Sequence, residues 1–139
     1  MKYLLDTNVL SEPVKTAPDE NVMRQLKENQ GELNTASPVW HELQYGCERL
    51  PKSHKRTLIK SYLMDVVRPT IQILSYDAIA AAWHADQRAR LMSIGQTPPF
   101  VDGQIAAIAK VNKLILVTRN LRDFSLFEDI EAETWHANI

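Results

Sequence analysis

Cysteine is almost missing from this 139-residue chain: Cys47 stands alone, which rules out an internal disulfide and any thiolate-rich metal site. Glycine is scarce as well, four residues in all, and none falls in a Gly-rich loop of the kind that cradles phosphates. Long apolar runs are lacking. The opening stretch Met1-Lys2-Tyr3-Leu4-Leu5 is broken by Asp6 before a signal-peptide core or a membrane span develops, so a cytoplasmic protein without membrane contact is expected. Nor is there an excess of one charge sign, because 16 Lys and Arg against 17 Asp and Glu leave a net charge of −1. The histidines are scattered, and His41-Glu42-Leu43-Gln44-Tyr45 only begins like a zinc-protease helix, since Tyr45 stands where a second histidine is required.

What is present suits one ordinary domain over residues 1–139, with 45% hydrophobic residues to close a core. Short apolar runs at Lys2 to Leu5 and Leu114 to Thr118 read as buried strands, Leu33 to Ala36 and Ile71 to Leu74 read as the second and third strands, and Glu131 to Trp135 as a last edge strand. Between them lie helical patterns. Asp19 to Asn29 opens after Pro18 and ends before Gly31; Val39 to Leu50 follows Ser37 as cap and Pro38 in the first turn, and stops at Pro51. Leu58, Ile59, Tyr62, Leu63 and Val66 mark a helix over Ser53 to Val67 that Pro69 interrupts. Tyr76 to Ile94 is alanine-rich and ends at Gly95, and Val101 to Val111 completes the set after the stiff Thr97-Pro98-Pro99 loop. Strands alternating with helices, without hairpin signals, imply an α/β fold in three layers with a mostly parallel sheet of four to five strands. Sheets of this kind bind ligands beyond the carboxyl ends of their strands.

Four acidic residues sit where an apolar run gives way to a turn or opens a helix: Asp6, Glu42, Asp102 and Asp123. Each has an ordinary structural explanation when taken singly. Asp6 and Asp123 suit turns, Asp102 suits the N-cap of the Gly103 to Val111 segment, and Glu42 suits a solvated helix face, although it lies beyond the slot of a capping box. Their shared placement argues otherwise. Unit charges of like sign repel by roughly 4 kcal/mol at ~4 Å and an effective dielectric near 20, so gathering several carboxylates calls for a cation, and a divalent metal meets that need. Hard ions such as Mg²⁺ and Mn²⁺ take oxygen ligands and leave room for waters and a substrate phosphate. With these four set aside, 13 acidic residues face 16 basic ones, a mildly basic surface suited to a phosphodiester. Arg119 and Arg122, beside Asp123, are better placed for nucleic-acid contact than the group Lys52, His54, Lys55, Arg56 and Lys60, which reads as a solvated helix face. Trp40, Trp83 and Trp135 read as core or interface residues.

The segments YLLDTNVLSE, SPVWHELQYGCERL and TPPFVDGQIAAIAKVNKLILVTRNLRDF together resemble PIN-domain toxins of the VapC type, from about residue 2 to 127. The resemblance implies a PIN-like fold and an Mg²⁺- or Mn²⁺-dependent endoribonuclease, the toxin of a type II toxin–antitoxin pair, that cuts tRNA or ribosomal RNA and is blocked by a cognate VapB-like antitoxin. It assigns the catalytic and metal-binding acids to Asp6, Glu42, Asp102 and Asp123. Thr118 and Asn120 match positions that orient ligands or waters, and Asn8 joins them as a supporting residue. Two departures stand out: His41 before Glu42, and Gly103 after Asp102 where a larger apolar residue is commoner. Competing readings are a non-catalytic module whose acidic pocket docks an arginine of a partner, and a metal-dependent phosphatase of small esters, for which Asn8 is a poor sign because a second aspartate belongs there. The small and apolar side chains of the Tyr76 to Ile94 and Val39 to Leu50 helices predict a homodimer face or an antitoxin groove.

Overall fold

The computed structural model describes residues 2–137; Met1, Asn138 and Ile139, which the single-domain expectation includes, lie outside the described residues. Five strands form one parallel sheet: β1 (Tyr3–Leu5), β2 (Leu33–Ala36), β3 (Gln72–Leu74), β4 (Ile115–Val117) and β5 (Ala132–Glu133), in the order β3-β2-β1-β4-β5. Leu4 pairs with Asn34 on one side and Leu116 on the other, so β1 is the central strand. Leu4, Leu5, Leu116 and Val117 are fully buried although neighbours on a strand point to opposite faces, which requires helices over both faces. That is the three-layer arrangement expected.

The helices are α1 (Thr7–Leu10), α2 (Glu20–Glu28), α3 (Ser37–Glu48), α4 (His54–Ser61), α5 (Arg68–Thr70), α6 (Ala78–Ser93), α7 (Phe100–Val111) and α8 (Leu121–Phe124). From β1 the chain steps outward to β2 and β3, then α6 and α7 carry it back across to β4 on the other flank of β1. The reversal of strand order therefore falls between β1 and β4, the crevice where open parallel sheets bind ligands.

Several local expectations are corrected. Asp6-Thr7-Asn8 is not a simple turn: Asp6 caps the four-residue helix α1, which Val9 and Leu10 hold in place by complete burial. Ser37 lies inside α3, whose cap is Ala36 with no side-chain bond, so Ser37 does no capping. The helix expected to stop before Pro69 instead passes from α4 through a π turn (Tyr62–Val67) into α5. Pro69 sits in the first turn of α5, directly after the π turn. Asp102 does not cap α7, a role held by Pro99, and α8 after β4 was not anticipated.

Trp135 is buried with its ring edge-on to Tyr3, 5.1 Å between centroids, while Trp40 and Trp83 are half-buried against the core. A buried polar cluster ties the C-terminal strand region to the N-terminal half. Glu12 accepts from the Asp19 amide at 2.7 Å and faces His136 Nε2 at 3.3 Å, and Asp19 in turn accepts from the Ala137 amide at 2.9 Å.

Candidate active site

Asp6 leaves the carboxyl end of the central strand with its amide donating to the Val117 carbonyl at 2.9 Å. Its carboxylate is buried and double-anchored: Oδ1 accepts from the Thr7 amide at 2.8 Å, and Oδ2 from the Thr118 hydroxyl at 2.8 Å. Each oxygen keeps a further lone pair for another partner. Burial pushes the Asp6 pKa up; the two hydrogen bonds pull against it, and the negative charges of Asp123 and Glu42 push it further up.

Asp102 occupies the third position of α7. A carboxylate in a first helical turn gains about 0.3–1 kcal/mol from the helix dipole, yet the Asp102 pKa rises from the usual 3.8 to about 6. Burial leads this shift, followed by Asp123 and then Asp6, and together they outweigh the dipole. The next residue must be glycine. A Cβ on Gly103 would lie 2.1 Å from His84 Nε2. His84 is buried, with Nδ1 2.8 Å from the Tyr76 hydroxyl and its ring 4.7 Å from that of Phe100, so it has little freedom to retreat. Burial and the nearby Arg88 lower its pKa, which favours the neutral imidazole. The departure at Gly103 thus has a steric partner, the imidazole from α6.

The charge influences put Asp6 beside both Asp123 and Glu42, and Asp102 beside Asp123 and Asp6. Asp6 is thus linked by charge to each of the other three acids; it is buried, Asp102 is half-buried, and Glu42 and Asp123 are exposed. Thr118 is buried and also accepts from the Asn120 amide at 3.1 Å; Asn120 begins α8 without a side-chain capping bond. Asn8 Oδ1 accepts from the Arg119 amide at 2.9 Å, which pins the loop after β4 to α1. Arg119 and Arg122 are exposed on the same segment as Asp123. In the other basic group, Arg56 and Lys60 pair with Glu48 at 2.8 and 3.3 Å, as the solvated-face reading expects. Thr7 was missed by sequence reasoning, although an aspartate preceding Thr-Asn-Val-Leu is an available N-cap signal.

Among the described residues, no group of three or more His, Cys, Asp or Glu side chains is drawn together tightly enough to hold a metal ion by itself. The chemistry of the donors nonetheless fits a hard divalent ion. All four acids offer oxygen, two are desolvated, and their mutual repulsion is the kind that a cation with water ligands relieves.

The PIN domain family matches residues 3–130. The chain is 30% identical over 135 residues to the tRNA(fMet)-specific endonuclease VapC of Shigella flexneri, covering 97% of this chain and 98% of that protein. It is 32% identical over 136 residues to the toxin FitB of Neisseria gonorrhoeae, covering 96% and 98% respectively. The crystal structure of DNA-bound VapBC from Salmonella typhimurium superposes with a TM-score of 0.85 at 29% identity, over 97% of this chain and 98% of that one.

Proposed function

Because this chain belongs to the PIN-domain family and is an endoribonuclease of the VapC toxin type, we propose that Asp6, Glu42, Asp102 and Asp123 are the groups with which it hydrolyses RNA. The observation that carries this reading is the charge influence of Asp123 and Glu42 on Asp6, and of Asp123 and Asp6 on Asp102, with Asp6 at the carboxyl end of the central strand. PIN-domain nucleases are generally dependent on divalent metals, and here Asp6, Asp102 and Asp123 would hold one or two Mg²⁺ or Mn²⁺ ions, with Glu42 on a second ion or on water. When bound, such an ion supplies positive charge that offsets charge developing on the phosphate and makes water easier to deprotonate.

The protein's own residues do the arranging. Thr7 and Thr118 lock both oxygens of Asp6, so this carboxylate meets the substrate without first losing rotamer freedom. Asn8 and Thr118 fix the loop that carries Asp123 by holding the amides of Arg119 and Asn120. Glu42 reaches the crevice from α3, where it orients the attacking water. That water adds to phosphorus in line, the bond from phosphorus to the 3′-oxygen breaks, and the departing oxygen takes up a proton. The products carry 5′-phosphate and 3′-hydroxyl ends. Arg119 and Arg122 contact the RNA backbone at the rim. A tRNA or ribosomal RNA is the proposed substrate.

An antitoxin is the partner of such a toxin, and the proposed one is VapB-like. A homodimer is proposed through the exposed apolar side chains Ile79 of α6 and Phe100 and Val101 of α7, and light scattering that finds only monomer at high concentration removes it. The central test is incubation of purified chain with total RNA and Mn²⁺. Cleavage that stops on chelation and is abolished in Asp6→Asn and Asp102→Asn supports the site, whereas cleavage at the original rate in either variant overturns it.

A further inference from the structure

Beside the carboxylates, between α3 and the stretch formed by α4 and the π turn, lies a cleft of about 390 Å³. Its lining includes Thr7, whose amide donates to Asp6, and Glu42, whose charge acts on Asp6, so it adjoins that carboxylate. Leu43 and Ile59 give it apolar walls, and Tyr45 of α3 and Arg49, which caps the C-terminus of that helix, are among its lining residues. Tyr45 is 58% exposed, too much for a core aromatic, and the Arg49 guanidinium lies over its ring at 5.7 Å from the centroid. One turn earlier, His41 lies nearly parallel to Tyr45, with centroids 6.2 Å apart and 22° between planes. His41, Tyr45 and Arg49 thus form an exposed rail of flat groups along one face of α3, adjoining Glu42.

We propose that this cleft is a nucleobase subsite: it receives an unpaired base of the RNA next to the scissile phosphodiester, read by Tyr45 and Arg49. The inference rests on the ribonuclease reading above and names the substrate class for that site. Apolar walls disfavour a phosphate, whereas a base offers a flat face for aromatic and guanidinium stacking and polar edges for Arg49 and the Tyr45 hydroxyl. The volume is near the lower end of the roughly 300–1,000 Å³ found for small-molecule sites, room for a nucleotide and not for a paired helix. The enzyme therefore cuts in loops or single strands, where a base can be splayed out at no unpairing cost.

The test uses full-length chain carrying Asp102→Asn, so that RNA is bound and not cut, and a short single-stranded RNA containing 2-aminopurine. Stacking in the cleft quenches the probe's fluorescence. Adding Tyr45→Ala or Arg49→Ala is expected to remove the quench and weaken binding on the order of tenfold, while Tyr45→Phe keeps the stacking. In the cleaving chain, Tyr45→Ala raises KM for single-stranded RNA. Unchanged quench and KM in both alanine variants, with melting temperatures at the parent value, overturn the subsite while leaving the ribonuclease reading intact. Loss of antitoxin binding by Tyr45→Ala with KM for RNA unchanged overturns it in favour of a protein-docking surface. A chain that cuts no RNA with Mn²⁺ overturns the underlying reading, and the subsite with it.

Discussion

Replacing Asp102 by asparagine should stabilise the metal-free protein above neutral pH and leave it nearly unchanged in acid. The carboxyl titrates near pH 6 in the folded chain instead of at the usual 3.8, because of burial, then Asp123, then Asp6. Folding therefore favours the protonated form. Stability is complete below the unfolded value of 3.8 and is lost as pH rises through about 6. At about 1.4 kcal/mol per unit the full penalty approaches about 3 kcal/mol, but Asp102 remains partly open to solvent, and screening reduces this to roughly 1–1.5 kcal/mol. For a chain of this length that corresponds to a rise in Tm of roughly 3–7 °C. The assay is thermal unfolding of the parent chain and Asp102→Asn in chelator at a pH just below the unfolded value of 3.8 and at about pH 8. The gap should open between those two values, and Mg²⁺ should narrow it by stabilising the parent alone. A gap of equal size at both pH values, or a variant less stable than the parent at pH 8, refutes the crowding of carboxylates around Asp102.

Three further perturbations probe the supports of the site. Thr118→Val removes the hydroxyl that donates to Asp6 Oδ2, so the Asp6 pKa rises further and the acid limb of the cleavage profile moves to higher pH, at a stability cost of about 1–3 kcal/mol; an unmoved acid limb argues against this role. Gly103→Ala forces a Cβ against His84 and should lower stability by about 1–3 kcal/mol, with part recovered when His84→Ala is added; strictly additive effects in the double variant would count against the interlock. Tyr62→Phe deletes a hydroxyl that donates to the Leu10 carbonyl at 2.7 Å, in a setting where burial pushes the phenol up to about 12, and urea unfolding should report a loss of about 1 kcal/mol or more. Equal midpoints would mean that water replaces the bond.

The strands were legible where a fully buried parallel strand is written as an apolar run, as in Leu114 to Thr118, within which β4 (Ile115–Val117) is observed. The gathering of acids was legible for a related reason: residues just past β1 and β4 share the same end of a parallel sheet, wherever they fall in sequence. Helix α1 was not, since four residues are too few for periodicity and are held by burial of Val9 and Leu10 that only the tertiary structure supplies. The π turn escaped because its apolar spacing differs little from that of an α-helix over six residues. Nothing local links Gly103 to His84, which belong to different helices and meet only when α6 packs on α7. Direct ligation was not legible either, because the distances between carboxylates depend on rotamers and on the ion itself.

The bond from Thr118 to Asp6 joins groups 112 positions apart, and the amide of Asp6 rests on the neighbouring Val117. A chain still being synthesised lacks that support until Thr118 has emerged, and Asp123 arrives later still. Assembly of the proposed site is thereby deferred by topology: a polypeptide truncated before β4 lacks both the strand on which the Asp6 amide rests and the hydroxyl that holds its carboxylate.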